Sequence, residues 1–133
     1  MTLSKWIAEL ESEDPVVRCQ AAKSLGKSGR EGAEAVAALA GRLSDPDPMV
    51  RGMSGAALGK IGVASDEAVK ALVRLLRDPV VPVRFWAADA LGRLGADTPR
   101  VRAGLAALAK DEHPLAKAAA AAARNALVEL DRR

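Results

Sequence analysis

The sequence predicts an all-α solenoid built from four helix pairs, and three observations support this fold class. First, the 133 residues repeat without a gap at an interval of 33. Second, the units contain stretches in which apolar residues recur at i, i+3, i+4 and i+7, the pattern of an amphipathic helix. Third, no stretch alternates strictly enough to predict a sheet. Such units are expected to stack, because one helix pair cannot bury its apolar face alone.

The repeat is clearest where the second helix of each unit begins. Segments 14–18, 47–51 and 80–84 superpose, and a drifted fourth copy spans 113–117. We therefore predict one domain over residues 1–133, with units at about 1–33, 34–66, 67–99 and 100–133. Columns of leucine and glycine keep the same register downstream: Leu25, Leu58 and Leu91; Gly26, Gly59 and Gly92; and Gly29, Gly62 and Gly95.

The first helix of each unit is predicted from its apolar stripe. The stripe runs from Val36 to Leu43 in the second unit and from Val69 to Leu76 in the third. In the first unit, Trp6 occupies a column that leucine holds in the other units.

The second helix is predicted to begin at an Asp-Pro step. In the second unit, Asp47 can cap the free backbone amides, and Pro48 at the first helical position loses no internal hydrogen bond. Gly62 stands where a left-handed residue would end the helix. In the fourth unit a run of alanines predicts a long final helix, from Pro114 to about Leu130.

Composition excludes several classes of protein. Apolar residues make up 50% of the chain, which is enough for a packed core. A net charge of +3 is too small for a dedicated nucleic-acid binder, and no apolar run is long enough to cross a membrane. The start of the chain lacks the apolar core of a signal peptide, and a single cysteine, Cys19, fits a reducing compartment. We expect a cytoplasmic protein.

One motif relates the chain to a known family. The pattern Asp-Pro-x-Val-Arg-x-x-Ala-Ala-x-x-Leu-Gly-x-x-Gly is complete at 14–29 and nearly complete at 47–62, and its second half stands at 83–95. It resembles the short HEAT repeat, especially the phycocyanobilin-lyase (PBS lyase) HEAT-like type, over essentially the whole chain. An interval of 33 also fits ankyrin repeats, but no unit carries their Thr-Pro-Leu-His signature. The resemblance implies a right-handed superhelix with the second helices on its concave side.

The resemblance also implies a ladder of structural charges. The arginine of each motif would meet an acidic residue at the start of a neighbouring helix. We interpret these charges as structural and not as ligand-binding groups. The arginines are Arg18, Arg51 and Arg84, and the implied acidic partners are Asp14, Asp47 and Asp78.

The outward face of the second helices carries the candidate site. Turning by about 100° per residue places Phe85 and Trp86, two of the three aromatic residues, near this face, with Met53 one unit earlier. Tryptophan is enriched at interface hot spots and methionine adapts to partners, so we predict a partner-binding patch. The alternative is that Trp86 wedges between units as core. The predicted patch comprises Met49, Met53, Pro82, Phe85 and Trp86, flanked by Lys23, Lys60, Asp89 and Arg93.

We interpret the chain as a non-catalytic module that binds a protein segment, a helix or loop, without a cofactor. The single histidine, His113, has no clear partner for a catalytic triad, and nothing in the sequence marks a set of metal ligands. Deoxyhypusine hydroxylase has a similar fold, but that resemblance requires His-Glu pairs, and this sequence contains none.

Two alternatives stay open. The PBS-lyase resemblance suggests a bilin lyase or a tetrapyrrole-handling subunit, in which Cys19 could react with a pKa lowered by neighbouring cations. The row Lys27, Lys60 and Arg93 could bind nucleic-acid phosphates weakly. Cations near helix C-termini are also favourable in themselves, which disfavours the second alternative.

Overall fold

The computed structural model describes residues 2–133, and within that range the chain forms helices and turns but no strand. Eight α-helices follow one another as four pairs, which confirms the predicted α-solenoid. No helix in this range is long and apolar enough to span a bilayer. The helices are α1 (Leu3–Glu9), α2 (Pro15–Lys27), α3 (Val36–Arg42), α4 (Pro48–Ile61), α5 (Asp66–Leu75), α6 (Val81–Leu94), α7 (Pro99–Ala109) and α8 (Lys117–Asp131).

The first three second helices begin where the sequence predicts, whereas α8 begins at Lys117, three residues after the predicted Pro114, and the caps of the four helices differ. The carboxylates of Asp14 and Asp47 each accept a backbone amide two residues ahead, at 2.9 and 2.8 Å. Val80 holds this position before α6 and has no side chain that can cap it. In the fourth unit, Nδ1 of His113 accepts an amide at 3.1 Å, and a 3-10 turn over Pro114–Ala116 precedes α8.

The second glycine column ends the helices as predicted. Gly62 and Gly95 close α4 and α6 with φ angles of +80° and +65°. Residues with a side chain rarely adopt this left-handed conformation, so glycine here fixes where the chain leaves each helix.

The helices form two layers, and neighbouring helices are packed more closely in one layer than in the other. Helices α2, α4, α6 and α8 pack side by side along most of their length, whereas α3, α5 and α7 touch one another sparingly. Gly59 shows how close the first set comes, because a Cβ atom there would lie 2.9 Å from Cα of Ala90 in the next helix. Gly26 and Gly92 face the next helix in the same way. A stack curves toward its more tightly spaced side, so the second helices line the concave surface.

The core lies between the two layers. It is built from the leucine columns of the repeat and from many alanines, all with little or no exposed surface. Trp6 packs half-buried against this core at the first unit. The fully buried leucines are Leu10, Leu25, Leu39, Leu58, Leu72, Leu91, Leu105 and Leu130.

Candidate functional site

Ion pairs join successive units at one end of the second helices. Nε and Nη2 of Arg18 donate to the two carboxylate oxygens of Asp45 at 2.9 and 3.0 Å. Arg51 makes the same two-pronged contact with Asp78 at 2.8 and 3.1 Å. Both arginines also donate to backbone carbonyls just before their own helix. This geometry clamps each second helix to the end of the next first helix.

The third pair completes this Arg–Asp ladder and corrects part of the prediction. Nη1 of Arg84 lies 3.3 Å from the carboxylate of Asp111. Of the three implied acidic partners, Asp78 is a partner, but the assignment was wrong for Asp14 and Asp47. Those two carboxylates cap the first turns of their own helices instead.

Asp45 is the most deeply buried member of the ladder, with a side chain that has no exposed surface. Burial by itself would raise the pKa of Asp45. The hydrogen bonds from Arg18 and from the backbone amide of Asp47 outweigh that effect, so the pKa of Asp45 lies below its ordinary value. These charges are committed to one another, which supports a structural role for the ladder.

A groove on the concave, solvent-facing side of α2, α4 and α6 brings together most of the predicted site. Its volume is about 500 Å³, and we call it the aromatic groove. It contains seven of the nine residues that the sequence predicts for the patch and its flanks. These seven are Lys23, Met53, Lys60, Phe85, Trp86, Asp89 and Arg93.

The aromatic rings of the groove are partly fixed by the neighbouring unit. The indole of Trp86 lies against the backbone of Gly52 in α4, where an added Cβ atom would overlap the ring. Trp86 is therefore half-buried between units while its remaining surface lines the groove. Phe85 and Met53 are also half-buried and pack against the edge of the core. Side chains held in this way lose little freedom when a partner binds.

The remaining two predicted residues lie outside the groove. Met49 is 50% exposed, and Pro82 lines an adjoining apolar depression that also contacts Phe85. Both belong to one column of the repeat, together with Val16 and Leu115, which are 60% and 73% exposed. Sequence reasoning missed Val16 and Leu115 as surface residues, although the 33-residue register places them in this column. We call these four residues the apolar ridge.

Basic side chains line the opposite edge of the concave surface. Lys27, Lys60 and Arg93 are exposed and occupy one column, which we call the cationic row. Nε of Arg93 donates to Asp89, four residues earlier, at 2.9 Å. Within residues 2–133, Lys23, Lys27 and Lys60 form no ion pair. The positive charge at this edge is therefore largely uncompensated.

Cys19 does not have the lowered pKa expected of a reactive thiol. Burial, and then the negative charge of Asp47, raise its pKa, and the opposing effect of Lys23 is smaller. The prediction of a lowered pKa was therefore wrong, because burial and Asp47 together outweigh the neighbouring cation.

We expect Cys19 to react with iodoacetamide more slowly than glutathione does at mildly alkaline pH, because the thiolate is the reacting form. Mass spectrometry of timed samples gives the rate. Asp47→Asn keeps a helix-capping side chain while removing the negative charge, so this variant should react faster. A wild-type rate above that of glutathione would contradict the raised pKa.

Other chemically reactive side chains are scattered. Across residues 2–133, no group of three or more histidine, cysteine or acidic side chains is arranged to hold a metal ion. Nδ1 of His113 is already occupied by the amide that it caps, in keeping with a capping role.

Comparisons with known proteins agree with this architecture. The model of a family described as HEAT repeats matches residues 3–80 and 62–124. No curated protein sequence matches the chain significantly. Among solved structures, the chain is similar to an engineered protein, Northeast Structural Genomics Consortium target OR329, with a TM-score of 0.76 and 25% identity over 98% of this chain and 63% of that one.

Two natural proteins show similar folds. One is the complex of CpcE and CpcF of phycocyanin lyase from Nostoc sp. PCC7120, with a TM-score of 0.69 and 26% identity over 100% of this chain and 66% of that one. The other is human deoxyhypusine hydroxylase in complex with glycerol, with a TM-score of 0.74 and 26% identity over 99% of this chain and 44% of that one. The chain thus spans less than two thirds of the length of each of these three structures.

Proposed function

This chain belongs to the HEAT-repeat family, and on that basis we propose that it is a single-domain, non-catalytic module that binds a protein partner on its concave surface. The observation that carries the proposal is the aromatic groove, where half-buried aromatic rings line a preformed depression. A HEAT-repeat solenoid is an extended scaffold whose concave surface is suited to binding other chains. The similar CpcE and CpcF structure, which is a complex, also supports protein partnering.

The mechanism that we propose is burial of apolar surface against a rigid platform. The indole of Trp86 rests on the Gly52 backbone, so the ring does not need to be ordered when a partner arrives. Phe85 and Trp86 each line both the aromatic groove and the adjoining apolar depression, and Phe85 alone of the two also lines a third depression between α6 and α8, which makes it the central anchor. Asp89, Arg93 and Lys60 at the rim would orient the partner through polar contacts.

The test is a Phe85→Ala variant measured against an identified partner. Proteins that co-purify with the native chain are identified by mass spectrometry, and one is produced in pure form for calorimetry. We expect Phe85→Ala to weaken binding at least about tenfold, as for truncation of an interface hot spot. Truncation of Phe85 is a cleaner test than truncation of Trp86, because Trp86 packs on Gly52 and its removal would disturb the fold more.

The matched control is Val128→Ala. Val128 is 49% exposed on α8 and lines neither the aromatic groove nor the adjoining depression, so its truncation should leave affinity unchanged. Circular dichroism and thermal melts of both variants separate lost binding from lost folding. Equal affinities for Phe85→Ala and the wild type, with both folded, would remove the groove as the binding site.

A tetrapyrrole-handling role is the second candidate, and the likeness to the phycocyanin lyase complex over the whole chain is what favours it. The aromatic groove would then hold an apolar pigment. The raised pKa of Cys19 argues against a thiolate that attaches one. Titration of a bilin into protein purified from a pigment-free host tests this role, and an unchanged absorption spectrum would count against it.

A further inference from the structure

The concave surface differs in chemistry between its two edges. Val16, Met49 and Pro82 of the apolar ridge stand at the second position of α2, α4 and α6, and Leu115 lies in the 3-10 turn before α8. Residues of the cationic row stand at the thirteenth position, such as Lys60 in α4. Eleven residues at 1.5 Å each separate the two edges by about 16 Å. The aromatic groove lies between them.

The helix dipole does not account for all of the positive charge in and beside the groove. Cations in a last helical turn are favourable beside the helix dipole, which accounts for Lys27 and Lys60. Lys23 stands in the middle of α2, where that effect has faded, yet it also lines the aromatic groove without an ion pair. The one carboxylate in the groove, Asp89, is already engaged by Arg93. The groove therefore offers unpaired positive charge to a bound chain.

We infer that the aromatic groove and its two edges bind an acidic amphipathic α-helix of the partner; this rests on the proposed function. A helix with its side chains is about 10–12 Å wide, which fits between edges about 16 Å apart. Its apolar side would face Phe85, Trp86 and the apolar ridge, and its carboxylates would face Lys23 and Lys60. Residues seven apart on a helix are about 10.5 Å apart, close to the 8–10 Å between neighbouring second helices, so successive units can each receive one apolar side chain.

Single-stranded nucleic acid fits this surface less well. Its phosphates would suit the cationic row, but the apolar ridge would be left without a partner. Stacking of successive bases also requires aromatic residues in several units, and here both groove aromatics, Phe85 and Trp86, belong to one. A labelled oligothymidine therefore serves as the competing ligand in the test.

The test is selection from a displayed library of helical peptides with randomised surface positions, using the full-length protein as bait. We expect the enriched peptides to combine net negative charge with apolar residues at i, i+3 or i+4, and i+7. Their affinity should fall with increasing salt, because exposed charges are screened. Phe85→Ala should reduce binding of the enriched peptides.

A charge-reversed variant isolates the electrostatic contribution to peptide binding. Lys23→Glu with Lys60→Glu should weaken the enriched acidic peptides about tenfold and shift a new selection toward basic ones. The control, Lys70→Glu with Arg74→Glu, makes the same change of charge at exposed positions of α5, in the other layer, and should leave selection unchanged. Circular dichroism confirms that both variants are folded.

The outcomes separate this inference from the proposed function. Enriched peptides that are neutral or basic but still require Phe85 would overturn the acidic helix and leave the binding module standing. Enriched peptides that bind equally well without Phe85 would overturn the groove as the site. Failure to enrich any helical peptide would overturn the inference. It would also be overturned if a labelled oligothymidine bound more tightly than the selected peptides and this binding depended on Lys23 and Lys60.

Discussion

Replacing Asp45 with asparagine is expected to lower the free energy of unfolding by about 3 kcal/mol, the low end of the range for removing one partner of a buried ion pair. Asparagine keeps the shape of the side chain and can still accept the backbone amide of Asp47. The guanidinium of Arg18, however, would lose its bidentate carboxylate at a largely buried site, and Arg42 would lose its contact with the same carboxylate at 3.4 Å. Urea denaturation at neutral pH, followed by circular dichroism, measures the change.

The control is the same substitution at the exposed end of the ladder. The side chain of Asp111 is 25% exposed and receives one bond from Arg84, at 3.3 Å. Water can replace much of that contact, so Asp111→Asn should cost about 1 kcal/mol or less. Equal losses for the two variants would show that burial does not set the strength of the ladder.

The Asp45 pair also predicts part of the pH dependence of stability. Because the pKa of Asp45 is lower in the folded protein than the ordinary value of about 3.9, its contribution is complete above that value. It is lost as the pH falls through the lower, folded-state pKa. Asp45→Asn should therefore remove this part of the acid loss, and a variant with the same acid profile as the wild type would contradict the assignment.

Gly59→Val is expected to be about as damaging, at about 3 kcal/mol, the upper part of the range for overpacking. A Cβ atom at Gly59 would lie 2.9 Å from the backbone of Ala90, and backbone cannot move aside as the end of a flexible side chain can. Helices α4 and α6 would have to separate, and contacts along their whole length would loosen. Thermal and urea unfolding give the loss of stability.

Gly41→Val is the matched control. Gly41 lies in α3, and a Cβ atom there would meet nothing within 4 Å. Valine has a slightly better helix propensity than glycine, so stability should change by about 0.5 kcal/mol or less. Comparable destabilisation by the two substitutions would mean that backbone entropy or helix propensity, and not the close approach of the second helices, explains the effect at Gly59.

Sequence periodicity predicts the fold well because each helix start, stripe and terminating glycine is encoded within a few neighbouring residues. The ladder is less predictable, since Arg18 meets a residue 27 positions away and the pairing depends on how the units stack. A signal was nevertheless present, because Asp45, Asp78 and Asp111 form a column at the repeat interval. The motif led instead to Asp14 and Asp47, which cap their own helices.

The site shows the same limit. A helical projection gives the direction of each side chain, and it brought seven of nine predicted residues to one groove. The projection does not show how much of a side chain is covered by the neighbouring unit. Trp86 is half-buried because glycine stands at position 52 in another unit, and Met49 lies apart because the groove begins deeper along the helices.

The burial of the Arg–Asp ladder decreases along the chain from the first pair to the third. The exposed fraction of its aspartates rises from 0% at Asp45 to 5% at Asp78 and 25% at Asp111. At the third pair, Nε of Arg84 is buried without a partner, and α6 begins without a capping side chain. In a chain of stacked units, stability is roughly a sum of nearest-neighbour terms. Of the three joints that the ladder spans, the one between the third and fourth units should therefore open most easily, and a ligand that contacts Phe85 together with Leu115 and Ala118 would hold this joint closed.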